Sequence, residues 1–395
     1  MSRAAKRPLT VMLVAAEASG DDRGAGLARA LKARLGQDVR FVGVGGEQMA
    51  AEGVESPFDI ADISILGLAE GLLAYPRIVR RADETAALAL REKPDVAVLI
   101  DSWGFTLRVA QRLRRQAPGL PLIKYVGPQV WATRPGRART LAAAVDHLLS
   151  IHAFDAPHFE AHGLPVTFVG NSALTVDFSK ARPARLRRRI GAAPNDPILI
   201  VLPGSRPGEI ERMLPVFEDA VRRLKETHPR LHVVVPAAPT VAETVKARVA
   251  GWSHRAHVIE GDEGKLDAMK AATVAMACSG TVTTELALAG VPMVIGYRLG
   301  PVTAWIVRKV LLRTRWVTLF NIAARAFVAP ELIQGDCTGP NVAREVALRL
   351  DDKALRDRQV AAQYAALDKM GRGGPDPSEA AAEAVLKILA ARAPG

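Results

Sequence analysis

The chain has 395 residues, 49% hydrophobic and 24% charged, which excludes a disordered chain and exceeds one ordinary core, so two domains are expected. Its net charge is +12, but no stripe of lysines with interleaved aromatics marks a nucleic-acid surface; the excess suits anionic lipid or phosphorylated substrates. Cys278 and Cys337 lack metal-type spacing and fit a reducing compartment without structural disulfides or zinc.

The basic start and short apolar run, up to Asp22, carry no cleavage pattern and read as a first buried strand, Thr10 to Ala15. Glu17-Ala18-Ser19-Gly20-Asp21 follows it. Its Ser19 and Gly20 open a helix, Gly24 to Arg34, beside acids; this is either a capped helix start or a sugar- or phosphate-facing loop. A strand over Arg40 to Val44 and a helix over Arg77 to Arg91 come next. The strand Asp95 to Ile100 delivers Asp101 to its carboxyl end, where either a general base or a helix cap belongs. The series continues through helix 107–115, strand 121–126, helix 138–144, strand 147–151 and strand 166–169. After the strand ending at Val126, Trp131 and Arg134 suit a sugar face and an anion, or simply a packed loop. Such alternation argues for a parallel sheet with helices on both faces, whose ligands bind at the strands' carboxyl ends.

The charged, proline-bearing stretch 178–197 is a hinge candidate, and the pattern then repeats. Ile198 to Leu202 is a strand, Pro203-Gly204 a turn, and a helix begins near Pro207. Ser205 suits its cap, and Arg206 with the loop N–H groups suits a phosphate; an ordinary strand–turn–helix junction with a solvated arginine is the other reading. Further strands are expected at 231–235, 256–259, 273–277 and 292–296, and helices at 213–227, 241–249, 266–271 and 282–289. Ser279-Gly280-Thr281 opens another phosphate-ready helix start, with Glu285 one turn on as a partner for ribose hydroxyls; a plain capped helix is the other reading. The weakly charged stretch 271–297 is divided by Gly280, Glu285, Gly290 and Pro292, so no spanning helix is expected. Alanine-rich helices at 361–364 and 378–391 finish the chain. The expected class is therefore α/β, two doubly wound Rossmann-like domains facing a cleft.

Taken as an ordered set, these stretches resemble the lipid-A-disaccharide synthase family, inverting glycosyltransferases of GT-B type. The resemblance runs from about Leu9 to about Cys337. It is carried by Glu17 to Asp21, Phe41 to Gly46, Pro94-Asp95 with Ile100-Asp101, Tyr125-Val126 with Val130-Trp131, and Phe168 to Gly170. In the second half it is carried by Leu202 to Arg206 with Glu209, Ser279 to Thr281 with Glu285, Pro292 to Arg298, and Asn321 with Pro330 to Gln334.

The resemblance implies residues 1–178 as the acceptor domain and 179–364 as the UDP-sugar domain. The last helices, about 365–391, would return to the first domain. It implies UDP-2,3-diacylglucosamine as donor and 2,3-diacylglucosamine 1-phosphate as acceptor, with no metal or cofactor. Asp101 would be the base. Ser205, Arg206, Glu209, Ser279, Gly280, Thr281, Glu285, Asn321 and Gln334 would serve the donor. Glu17, Ser19, Gly20, Trp131 and Arg134 would line the acceptor side.

The stretch Ile63 to Leu73 reads as a helix packed in the core or as an interfacial one; it matches a stretch that meets the membrane in the family, so Ile65, Leu66, Leu68, Leu72 and Leu73 are expected acyl or lipid contacts. A cytoplasmic protein, peripheral on the inner membrane of a Gram-negative bacterium, follows from this; a homodimer is left open, and no nucleic-acid partner is expected. The chain departs from the family pattern at Gly104, Gly127, Gln129, Thr133 and Asn171. Those departures keep two rivals in view: a UDP-N-acetylglucosamine 2-epimerase-like enzyme and a non-catalytic UDP-sugar or lipid binder.

Overall fold

A computed structural model describes residues 7–63, 68–300 and 315–392, the side chains of 68–74 excepted. The chain divides into two compact units, residues 1–171 with 374–395, and residues 172–373.

The first unit holds six parallel strands: β1 (Leu9–Val14), β2 (Val39–Val44), β3 (Val96–Ile100), β4 (Leu122–Tyr125), β5 (His147–Ser150) and β6 (Val166–Phe168). Their order is β2-β1-β3-β4-β5-β6. Helices cover both faces, so the central strands are mostly apolar; all of β3, VAVLI, is buried. One core layer joins Met12, Val14 and Leu99 to Phe105 and Val109 of the Trp103–Gln116 helix. The other joins Val11 and Leu13 to Leu27 and Leu31 of the Ala18–Leu35 helix, and to Ala381 and Val385 of the last helix, Pro377–Ala390. The chain's end thus completes the unit in which the chain began.

The second unit repeats the design with β7 (Ile198–Leu202), β8 (His232–Pro236), β9 (His257–Ile259), β10 (Val274–Ala277), β11 (Met293–Tyr297) and β12 (Glu331–Ile333). These strands are also parallel, in the order β12-β11-β10-β7-β8-β9. The Pro207–Thr227 helix buries Ile210, Met213, Leu214, Phe217, Val221 and Leu224, the spacing of a single helical face. Among the described residues no helix is long and apolar enough to cross a membrane.

The unit boundary differs from the expected one. The stretch 178–197 is not a free linker: it contains the Pro183–Ile190 helix, which buries Leu186 and Ile190, and Arg185 pairs with the buried Asp267 at 2.6 Å. At the other end the second unit runs to Gly373, because the Lys353–Lys369 helix is unbroken and docked on the sheet. Gln359 and Gln363 donate from it to the Met293 and Val291 carbonyls, at 2.8 and 3.0 Å. Buried glutamines are invisible to a hydrophobic pattern, which is why only its middle was legible.

Each sheet reverses its strand order beside its first strand, between β1 and β3 and between β7 and β10. In open α/β sheets such switch points leave a crevice beyond the strand ends.

Candidate functional site

In the second unit, Leu202 of β7 and Ala277 of β10 are paired neighbours at the switch point. Beyond them Gly204, Ser205, Arg206, Ser279, Gly280 and Thr281 line a cavity of about 480 Å³, together with Glu209, Lys265 and Glu285. Gly204 has φ 117°, and a Cβ there would stand 2.6 Å from the Glu209 Cβ, so only glycine fits. Ser205 does not cap the following helix as expected. Arg206 is the cap residue, so Ser205 lies one position too early; its main-chain N–H instead donates to Glu209 Oε2 at 3.0 Å. The buried Glu209 also accepts from the Tyr297 hydroxyl at 3.2 Å and from Arg206 at 3.4 Å. Burial, and then the Glu209 charge, raise the Tyr297 pKa.

Arg206 is 73% exposed and loosely paired, free to reach a ligand. The Thr281–Ala289 helix opens on the same cavity from Gly280, and Glu285 forms an ion pair with Lys265. Helix N-termini and an arginine on one side, with a carboxylate a turn further on, suit a nucleoside diphosphate: phosphates at the N–H groups, ribose hydroxyls at the acid.

In the first unit the switch point brings together Glu17, Ser19 and Gly20 after β1 and Asp101 after β3. A Cβ on Gly20 would stand 3.2 Å from the Ala15 Cβ, so glycine lets the helix start close against the strand. Asp101, Ser102 and Val126 have φ of 48°, 36° and 70°. Such residues cost on the order of 1–3 kcal/mol each and persist where surrounding structure holds them, commonly at functional sites. Asp101 Oδ1 accepts the Ser102 N–H at 3.0 Å; Oδ2 lies 3.3 Å from Arg23 Nη1 and 3.4 Å from Ser19 Oγ. The Asp101 side chain stays 34% exposed. Glu17 keeps part of its surface in solvent, yet crowding away from water, and then the Asp101 charge, raise its pKa. An open carboxylate fixed at a strand end can take a proton from a hydroxyl presented to it.

The family model described as lipid-A-disaccharide synthetase matches residues 11–385. The chain belongs to the lipid-A-disaccharide synthase family. Lipid-A-disaccharide synthases of Rhodospirillum centenum and Nitrobacter hamburgensis are each 44% identical to it, over 98% and 99% of this chain and 96% and 98% of theirs. Among solved structures, an S. aureus MnaA–UDP co-structure matches over 96% of both chains with a TM-score of 0.63; at 16% identity this shows a shared fold alone. The fold is α/β GT-B, and the chain is a hexosyltransferase of lipid A biosynthesis. The epimerase alternative is not favoured, since relatives matching at full length carry the synthase name.

Several residues expected at the synthase site have other duties. Asn321 is fully buried. Its Nδ2 donates to Ala329 O and Glu331 Oε1, both at 2.9 Å, and its Oδ1 accepts the Val328 and Ala329 N–H groups. It has no bonding capacity left for a ligand and lies outside the β7/β10 cavity, so it organises the loop leading into β12. Gln334, with φ 54° after β12, does not line that cavity either. Trp131 spends its indole N–H on Asp155 Oδ1 at 2.8 Å and sets its ring edgewise against His152 and Phe154. Arg134 is exposed, with φ 48°. Ile65 and Leu66 lie outside the described residues; Leu68, Leu72 and Leu73 fall in the Leu68–Glu92 helix, their side chains outside the described part.

The departures from the synthase pattern have local settings. A Cβ at Gly127 would stand 3.1 Å from Leu148 and 3.2 Å from Phe159, whereas at Gly104 the space is open. Asn171 is buried. His152 is also buried; burial, and then Arg23, push its pKa down to about 4.

Sequence reading missed Arg23, Lys124, Asp155 and Lys265. Of these only Lys124 left a signal, a lone charge in the apolar strand LIKY.

Proposed function

We propose that the chain transfers 2,3-diacylglucosamine from its UDP donor to the 6-hydroxyl of 2,3-diacylglucosamine 1-phosphate, with inversion, giving the β-1,6-linked disaccharide 1-phosphate and UDP. The observation that carries this reading is that each switch point holds a different half of the chemistry. An open carboxylate stands at one, and a cavity suited to a nucleoside diphosphate at the other.

In the reaction, Asp101 takes the acceptor hydroxyl proton as that oxygen attacks the anomeric carbon from the face opposite UDP. The bond from that carbon to the diphosphate oxygen breaks with its electron pair. Arg206 and the N–H groups of Gly204, Arg206 and Ser279–Thr281 receive the charge. Glu285 holds the ribose.

The same reading has the enzyme work on the cytoplasmic face of an anionic inner membrane. A net charge of +12 favours that surface, and on the Leu68–Glu92 helix Tyr75 is 50% exposed. A homodimer is compatible with it, and sedimentation velocity distinguishes that state from a monomer.

The test mixes purified protein with donor and acceptor and follows UDP release. Release that needs both substrates is expected; none across several acyl-chain lengths would sink the reading. Co-sedimentation with anionic but not neutral vesicles is expected, and equal partition between them would remove the membrane component.

A further inference from the structure

We propose that Lys124 is a positioning residue for Asp101, a cation buried beneath the strand end that clamps the Asp101–Ser102 turn by its main chain. The proposal rests on the reading of Asp101 as the base.

Lysines normally run their ammonium out to water. Lys124 does not: it is 3% exposed, on a strand whose four residues are all buried, and it forms no ion pair among the described residues. Its ammonium donates to the Asp101 carbonyl and to Thr106 Oγ1, the latter at 2.7 Å. The Thr106 hydroxyl in turn lies 2.8 Å from the Asp101 carbonyl and 2.9 Å from that of Ser102. The next residue on β4 completes the grip, because the Tyr125 carbonyl accepts the Asp101 N–H at 2.8 Å. β4 therefore holds the Asp101 residue by both its N–H and its C=O. This is where the chain adopts two successive left-handed residues, neither of them glycine. An apolar side chain at Lys124 would fill the same space; it would leave the Asp101 carbonyl with Thr106 alone and free the turn that aims the carboxylate.

The groups around the ammonium fix the pH response. Glu17, before the Ala18–Leu35 helix, and Asp101, after β3, bring negative charge; Thr106 faces it from the Trp103–Gln116 helix, and Arg23 is paired with the Asp101 carboxylate. Burial is the largest influence and lowers the Lys124 pKa to about 7, with Asp101 and Glu17 acting against it. As pH rises through that value the donor loses its charge and the clamp slackens.

The experiment measures steady-state UDP release from about pH 5.5 to 9 for wild type, Lys124→Met, Thr106→Val and Asp101→Asn. Lys124→Met should lower kcat on the order of 10- to 100-fold while the donor KM stays within about twofold, and should lose the alkaline limb near pH 7. Lysine-13Cε NMR should show one signal titrating near that pH, and no such signal in wild type would overturn the pH dependence. Unchanged kcat and an unchanged alkaline limb in Lys124→Met, with Asp101→Asn inactive, would overturn the role of Lys124 and leave the base in place. An active Asp101→Asn would instead remove the base reading itself. If Lys124→Met does not fold, Thr106→Val removes one arm of the clamp at nearly constant shape. A partial loss of kcat at constant KM is then expected, and full activity overturns the clamp.

Discussion

Glu209 accepts the main-chain N–H of Ser205 at 3.0 Å, so the first turn of the Pro207–Thr227 helix holds in place the loop it grows from. The same carboxylate takes the Tyr297 hydroxyl from β11, which ties the phosphate-facing loop to the sheet. Glu209 therefore supports the loop that lines the cavity. Glu209→Ala should cost about 1–3 kcal/mol of stability, as buried donors lose their acceptor, and should weaken UDP binding roughly tenfold. Glu209→Gln, which still offers an oxygen, should retain most of both. Urea denaturation and calorimetric titration with UDP measure the two effects; an unaltered UDP affinity in Glu209→Ala would show that the loop needs no such support.

Arg206 makes the opposite case. It is 73% exposed, and its side-chain contact with Glu209 is 3.4 Å long. An exposed pair of that kind adds little to folding. Arg206→Ala should leave the unfolding temperature within about a degree, yet raise the Kd for UDP on the order of 10- to 100-fold. Arg206→Lys should recover only part of it, because a point charge does not reproduce a two-pronged donor. The loss should be larger for UDP than for uridine. Equal losses for both would move Arg206 away from the phosphates.

The parts legible in the sequence were those written in apolar runs and turn residues. β1, β3, β7 and β10 are short buried strands, and the residues after them, Asp101, Arg206 and Ser279 to Thr281, stand at the strand ends where the alternation put them. The parts that were not legible depend on long-range polar contacts. Nothing near Asp21 in sequence indicates that its carboxylate caps the turn at Gly46 to Met49, accepting three N–H groups between 2.7 and 3.1 Å. The Gly339–Asp351 helix and the three-residue β12 were missed because one lies against the Pro207–Thr227 helix and the other is too short for a period. The partners of Trp131 and Asn321, Asp155 and Glu331, are likewise set by tertiary structure.

Asn321 gives a clean separation between structural and ligand roles. Its amide makes four hydrogen bonds in a fully buried setting, and Glu331, one of its partners, also accepts the Val317 and Thr318 N–H groups at 2.9 and 2.7 Å. Asn321→Ala should cost about 2–4 kcal/mol, since several buried groups lose partners at once. The protein that remains folded should keep its UDP affinity. A stable Asn321→Ala protein with a weakened UDP Kd would return Asn321 to the donor site.

Asp155 and His152 are buried together and respond to pH in opposite directions. Burial raises the Asp155 pKa from 3.8 to about 6, against the hydrogen bonds from Ser150 and Trp131 that favour its charged form. A raised acid stabilises the fold when protonated, so this contribution is complete below pH 3.8 and is lost as pH rises through about 6. His152 is depressed from 6.5 to about 4; its contribution is present above pH 6.5 and is lost as pH falls through about 4. Between those limits the two slopes oppose each other. Asp155→Asn removes one of them with little disturbance: its Oδ1 still accepts from Trp131, and its amide can donate to Ser150 Oγ, whose hydrogen then turns from residue 155 to the His152 carbonyl at 2.8 Å. The variant should therefore be more stable than wild type at neutral pH, by on the order of 2 kcal/mol, because no buried carboxylate must ionise. On acidification it should lose that advantage steadily, since the His152 slope is then unopposed. Chemical denaturation of both proteins from about pH 4 to 7.5 reads the difference directly, and a difference that stays constant across that range would show that Asp155 does not titrate there.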